Sequence, residues 1–360
     1  MRDDALIVAV GDSLLTLEYE TWNFGDSVGF EGLIRASDAT GDPTYVQFAR
    51  GWMRAWATRR HPFRRLDATA PGTALVEVLR RYGDDDLLTA ARELAGYLTS
   101  RSSIRGIYAT WESSPLMAPY GGESLSDREQ QWLSRPPAGS FLDCLHFDPP
   151  FFTGLGELVA DTALIRIGVD QATAYIRELQ LPSGDFAHFI LEGVEGTFGT
   201  GWTRGQGWAL LGLLDVLENL ARPGARAAAS GDDVETLRRA AARLIDRMLA
   251  TQRPDGHWDA RLDDPASGME SSTAAFMAEG FRRARELGLS SHPDLQRAEQ
   301  NARDAVRASI DDDGLLTEVS VAVMACTRDS HYANVPRGYR VPWGQGPALL
   351  ALTGGGVHER

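Results

Sequence analysis

The chain has 360 residues, 36 basic and 50 acidic side chains, and a formal net charge of −14. All 36 cations are Arg, which excludes a Lys Schiff base, a pyridoxal phosphate anchor and a P-loop Lys, because each needs an ε-amine. The acidic balance argues against a nucleic-acid partner, and the two distant cysteines, Cys144 and Cys326, exclude a disulfide scaffold and argue against a zinc cluster.

Residues 1–20 place acidic residues ahead of a short apolar run and offer no small-residue cleavage site. Neither a signal peptide nor a membrane span is expected, and the default is a soluble cytoplasmic protein. Residues 3–20 are available as a helix. Beyond them apolar residues recur at helical spacing and strand-like alternation is scarce. Residues 27–37 are rich in small residues and poor in charge, as a helix buried on most sides should be. In 43–59, Tyr45, Phe48, Ala49, Met53 and Trp56 fall on one stripe and Pro43 suits a first turn, the pattern of an amphipathic outer helix. The two kinds then alternate. Buried-type helices are expected at 71–83, 144–160, 205–220, 270–284 and 344–355, and amphipathic ones at 85–101, 169–180, 234–252 and 292–310. The Pro-, Gly- and Ser-rich stretch 112–140 interrupts the series, either as a disordered loop or as a lid.

Two repeats run through this pattern. Gly205-Gln206-Gly207-Trp208-Ala209-Leu210-Leu211-Gly212-Leu213 matches Gly344-Gln345-Gly346-Pro347-Ala348-Leu349-Leu350-Ala351-Leu352 at seven of nine positions. A shorter unit of Gly, any residue, then a large apolar one follows outer helices at Gly106-Ile107-Tyr108, Gly184-Asp185-Phe186, Gly256-His257-Trp258 and Gly314-Leu315-Leu316. It reads as a turn leading into a short extended piece. Recurrence of outer helix, short hairpin and inner helix predicts an all-α toroid of about six helical hairpins, an (α/α)6 barrel, as one domain over residues 1–360. An open solenoid would need a polar cap, and residues 343–355 are not polar.

In such a ring the inner-helix N-termini and the loops before them line one open end, where backbone N–H groups suit an anion. Asp143 stands there in the apolar run Phe141-Leu142-Asp143-Cys144-Leu145, either as a helix cap or as a general acid. Asp67 holds the equivalent place before Pro71-Gly72, where a cap or turn starter is the ordinary role. Two carboxylates on one cavity are nonetheless how acid/base work on sugars is commonly arranged. Gly201-Trp202-Thr203-Arg204-Gly205-Gln206-Gly207-Trp208 sets a guanidinium between two indoles. It is read as a carboxylate clamp with stacking walls, against the alternative of packed Trp residues around an Arg paired to an internal acid. His188, in the second hairpin, is placed to hydrogen-bond a substrate. The remaining histidines show no ligand spacing, so no metal and no cofactor are expected.

The set Leu66-Asp67, Phe141-Leu142-Asp143, Phe186-Ala187-His188, the W-x-R-G-x-G-W element, Glu270-Ser271-Ser272 and Gly344-Gln345-Gly346 resembles the unsaturated glucuronyl and rhamnogalacturonyl hydrolases of glycoside hydrolase families 88 and 105. The resemblance runs from about residue 20 to the C-terminus and implies the (α/α)6 barrel. It also implies action on a 4,5-unsaturated uronic acid at the non-reducing end of a lyase-generated oligosaccharide: an Asp protonates the vinyl ether at C4 and water adds at C5. By position Asp143 would be the general acid/base and Asp67 the second carboxylate. His188 and Arg204 would contact the unsaturated sugar. Trp202 and Trp208 would be its walls, and Trp22, in the aromatic run Trp22-Asn23-Phe24, would be a further contact. Such an Asp needs an apolar or like-charged setting to stay protonated. Asp148, one turn on, is a competing carboxylate. The other readings are an inverting glycosidase, a sugar epimerase or a non-catalytic sugar-binding toroid. The expected partner is the unsaturated oligosaccharide, with no nucleic acid and no membrane.

Overall fold

The computed structural model describes residues 3–20, 22–59 and 71–354. Among them twelve helices of eleven residues or more form six outer–inner pairs in chain order. These are α1 (Asp3–Leu15) with α2 (Asp26–Thr40), α3 (Pro43–Arg59) with α4 (Gly72–Tyr82), and α5 (Asp85–Thr99), which runs through a long connection containing α6 (Asp127–Ser134) to α7 (Cys144–Leu158). Then come α8 (Thr162–Leu179) with α9 (Thr203–Ala221), α10 (Gly231–Thr251) with α11 (Ser271–Glu286), and α12 (Leu295–Ser309), which leads past the single turn α13 (Ser330–Ala333) to α14 (Pro342–Thr353). The inner helices touch in sequence, α2 to α4, α7, α9, α11 and α14, and α14 returns to α2. This is the (α/α)6 toroid that the alternation of helix types predicts. None of its helices, among the described residues, is long and apolar enough to cross a membrane.

The composition of the inner helices explains why they pack so closely. At the seam a Cβ on Gly32 would come within 2.7 Å of the Gly346 carbonyl oxygen, and one on Gly346 would overlap the Val28 carbonyl. Only glycines let α2 and α14 approach this far. The outer helices are amphipathic and capped from their own sequence. Asp84 accepts from Leu87 N–H at the start of α5, and Ser230 and Asp233 form a capping box at the start of α10.

The two sequence repeats prove to be one device. The repeated Gln of the inner helix clamps the hairpin that precedes it. Gln206 accepts from Phe186 N–H at 2.7 Å and donates to the Phe186 carbonyl at 2.9 Å. Gln345 accepts from Leu316 N–H at 2.9 Å and donates to the Gly314 carbonyl at 2.8 Å. All four hairpin glycines, Gly106, Gly184, Gly256 and Gly314, have φ between 74 and 105°, where a side chain would be strained.

Among the described residues the strands are few and short. β1 (Ser103–Ile104) pairs with β2 (Ile107–Tyr108), and β3 (Gly139–Phe141) pairs antiparallel with β4 (Phe189–Leu191), Phe141 opposite Phe189. The second pair joins the segments that carry Asp143 and His188. Of the two readings of 112–140, disorder does not hold. The segment folds onto the mouth through a Trp111–Gly139 bridge, the Ser126–Glu129 capping box of α6, and a Met117 N–H bond to the Ala325 carbonyl at 2.9 Å.

Candidate active site

A cavity of about 260 Å³ opens at this mouth. Its buried floor is Asp143, His188, Trp202 and Arg204, and Glu20, Asn23, Phe24, Trp111, Pro115, Phe141, Ala322, Val323 and Met324 complete the lining. Met324 has a left-handed backbone (φ 57°) and is exposed.

Asp143 precedes α7, yet its carboxylate caps nothing there; its backbone is already helical, and the side chain is turned into the cavity with only 4% of the residue exposed. The helix-cap reading therefore does not hold. Oδ2 lies 3.4 Å from His188 Nε2. Strand pairing sets this distance, because Leu142 N–H donates to the His188 carbonyl at 2.7 Å. The His188 ring is held between Trp202, at 4.4 Å between centroids, and the edge-on Phe141 at 5.3 Å.

Arg204, in the first turn of α9, is wholly buried. Nη1 bonds to Glu270 Oε1 at 3.3 Å and to the Ser320 carbonyl and hydroxyl; Nη2 bonds to the Val321 carbonyl at 3.1 Å. Glu270 is itself the cap of α11, accepting from Thr273 N–H at 3.0 Å. The internal acid required by the alternative to a clamp is thus present, and Glu270 and Ser320 hold one end of the fork. The guanidinium still borders the cavity, 5.4 Å from the Trp202 ring. Burial pulls its pKa below the ordinary value, and the Glu270 and Asp143 carboxylates oppose the shift.

A family comparison bears on this geometry: the profile of Glycosyl Hydrolase Family 88 matches residues 11–354. The chain belongs to glycosyl hydrolase family 88. The unsaturated rhamnogalacturonyl hydrolase YesR of Bacillus subtilis (strain 168) is 22% identical to this family 88 member over 358 residues, 97% of this chain and 95% of that one. Among solved structures, a possible GH105 member from Klebsiella pneumoniae subsp. pneumoniae MGH 78578 superposes with a TM-score of 0.79 at 19% identity, over 98% of this chain and 92% of that one. The unsaturated glucuronyl hydrolase of Bacillus sp. GL1, responsible for glycosaminoglycan degradation, superposes with a TM-score of 0.64 at 21% identity, over 97% and 96%. This family 88 member is a glycoside hydrolase of the unsaturated glucuronyl and rhamnogalacturonyl hydrolase family.

The sequence-predicted residues divide within this fold. Asp143, His188, Trp202 and Arg204 meet in the cavity. Asp67 lies outside the described residues. Two expected contacts need correction. Trp208 is one turn below Arg204 and packs in the core against Phe276, at 4.6 Å, and Phe147. Trp22 turns away from the mouth onto Phe30 and Trp56, while its neighbours Asn23 and Phe24 line the cavity. Asp148 is not a competitor, since it forms a buried ion pair with Arg101. Sequence reasoning missed Phe24, Trp111 and Met324, which come from connections without periodicity. It also missed a buried charged chain below the cavity. There His146 lies 3.3 Å from Glu31 and 3.4 Å from Asp215, which is bound by Arg283 at 2.6 Å. Burial disfavours the charge on His146, but the two carboxylates outweigh it and raise its pKa; burial likewise lifts Asp215 to about 6.

Proposed function

We propose that this hydrolase removes a 4,5-unsaturated uronic acid from the non-reducing end of lyase-generated oligosaccharides, with Asp143 as the general acid/base. The observation that carries this reading is the Asp143 carboxylate, free of any capping duty and buried in an apolar cavity beside His188 Nε2 and the Arg204 charge. Asp143 delivers a proton to C4 of the vinyl ether. Water adds at C5 and returns its proton to the Asp143 carboxylate. The C5 hemiketal opens to a ketone, and the hemiacetal left at C1 expels the rest of the saccharide as an alcohol. The Arg204 charge draws the sugar carboxylate toward the floor, Trp202 lies under the ring, and Asp67 serves as the second carboxylate, holding a sugar hydroxyl. The relatives named above, one a rhamnogalacturonyl and one a glucuronyl hydrolase, support this substrate class.

The test follows loss of the ultraviolet absorbance of the conjugated double bond. Unsaturated disaccharides from pectic, glycosaminoglycan and ulvan lyases are screened with the wild-type chain and with Asp143→Asn. The wild type should consume at least one, and Asp143→Asn should lose on the order of 10²- to 10⁴-fold in rate, the ordinary share of a general acid. A variant as fast as wild type refutes the role of Asp143.

A further inference from the structure

His188 has a second partner that lies outside the cavity lining. Tyr332, on α13, brings its hydroxyl to 2.7 Å from His188 Nδ1. The two residues are 144 positions apart, and Tyr332 is buried, with 1% exposure. The approach is built in. Gly199, at φ 70°, packs against both, and a Cβ there would overlap the Tyr332 hydroxyl and come within 2.6 Å of His188 Cβ. Thr200 Oγ1 donates to Asp329 at 2.8 Å, and Arg261 does so at 3.2 Å, which ties α13 to the same turn.

Burial pushes the Tyr332 phenol well above its ordinary range, so it keeps its proton. The phenol therefore has one hydrogen to give, and His188 Nδ1, at 2.7 Å, is the acceptor within reach. We infer that Tyr332 is a positioning residue: its O–H donates to His188 Nδ1 and so fixes the imidazole tautomer whose Nε2–H faces Asp143. At 3.4 Å this last contact has the length that catalytic hydrogen bonds often show before substrate binds. Among the described residues Oδ2 makes no hydrogen bond in the resting structure, so Nε2–H is the donor poised for it, which leaves Oδ1 to carry the proton that is transferred. The opposite tautomer would aim a bare Nε2 lone pair at the carboxyl and compete for that proton. This role rests on the proposed function for its consequence but not for its geometry.

The experiment is ring-nitrogen NMR of histidine-labelled protein, with the His188 signals assigned from His188→Gln. In the wild type the proton should reside on Nε2 of His188. In Tyr332→Phe, which keeps the ring and loses the donor, Nε2 should no longer hold it alone. In kinetics Tyr332→Phe should lower kcat on the order of 10- to 100-fold, with KM within about threefold. In a His188→Gln background the same change should have no further effect, because the tautomer no longer exists to be fixed. A wild-type His188 protonated at Nδ1, a Tyr332→Phe protein with unchanged tautomer and kcat, or an additive loss in the double variant would each overturn the inference. The wild-type tautomer needs no substrate and no variant. If no unsaturated uronide is consumed, the function reading fails while this measurement still decides the role of Tyr332.

Discussion

Glu270→Gln isolates the charge that supports Arg204 at nearly constant shape. Both carboxylate oxygens accept backbone N–H groups. Oε1 takes Ser320 N–H at 3.1 Å and Oε2 takes Thr273 N–H at 3.0 Å. Either orientation of a Gln amide therefore sets its NH₂ against a backbone donor. The substitution also leaves a wholly buried guanidinium without its counter-ion. Removing one partner of a buried pair costs about 3–5 kcal/mol. With an unfolding entropy of about 2.1 cal/mol/K per residue over 360 residues, or about 0.76 kcal/mol/K, Tm should fall by about 4–7 °C. Calorimetry of the variant beside the wild type reads this directly. The double variant Glu270→Met/Arg204→Met removes both charges and should be less destabilised than Glu270→Gln. A loss under about 1 kcal/mol for Glu270→Gln, the size of an exposed pair, would refute the view that this ion pair is the foundation of the cavity floor.

Three further outcomes follow from the same structure. Arg101→Met strands Asp148 in the wall and should destabilise by about 3–5 kcal/mol in denaturant unfolding while leaving kcat of the folded protein near wild type, which separates Asp148 from Asp143. Gly346→Ala forces the α2–α14 seam apart and should cost about 1–3 kcal/mol by the same measurement; an unchanged midpoint would mean that the seam is not close-packed. His331 donates to the Val323 carbonyl at 2.6 Å and stacks on Tyr120 at 4.8 Å, and burial pushes its pKa below 6.5. The folded imidazole stays neutral where the unfolded one takes a proton, so its contribution is present above about pH 6.5 and is lost progressively as pH falls from there through the lower folded value. Hydrogen-exchange protection factors in 115–125 and 320–333, corrected for the intrinsic pH dependence of exchange, should fall on acidification in the wild type, and less so in His331→Gln.

The ring was legible because helical periodicity reports which face a helix buries, and twelve such faces alternating in kind leave few arrangements. Asp143 was legible because one carboxylate in an apolar run is chemically conspicuous. Depth along the ring axis was not. Arg204 and Trp208 lie on the same side of α9, four residues apart, yet only the first reaches the cavity. Trp22 failed for the related reason that adjacent residues in an irregular segment face opposite ways. Arg204 was read as a free clamp because Ser320 and Val321, which occupy its fork, are more than a hundred residues away. Tyr332 carries no local signal, since its meaning arises only where α13 meets the turn at Gly199.

The seam between α2 and α14 joins Val28 to Gly346, almost the full described length of the chain. During synthesis the flank of α2 that carries Val28, Gly29 and Gly32 lacks its neighbour until residues 342–353 leave the ribosome. The nascent polypeptide thus carries an unsealed apolar edge from the emergence of α2 until that of α14, the situation in which chaperones are recruited. A message truncated before residue 342 yields an open, adhesive crescent, because five hairpins cannot relax into a smaller circle.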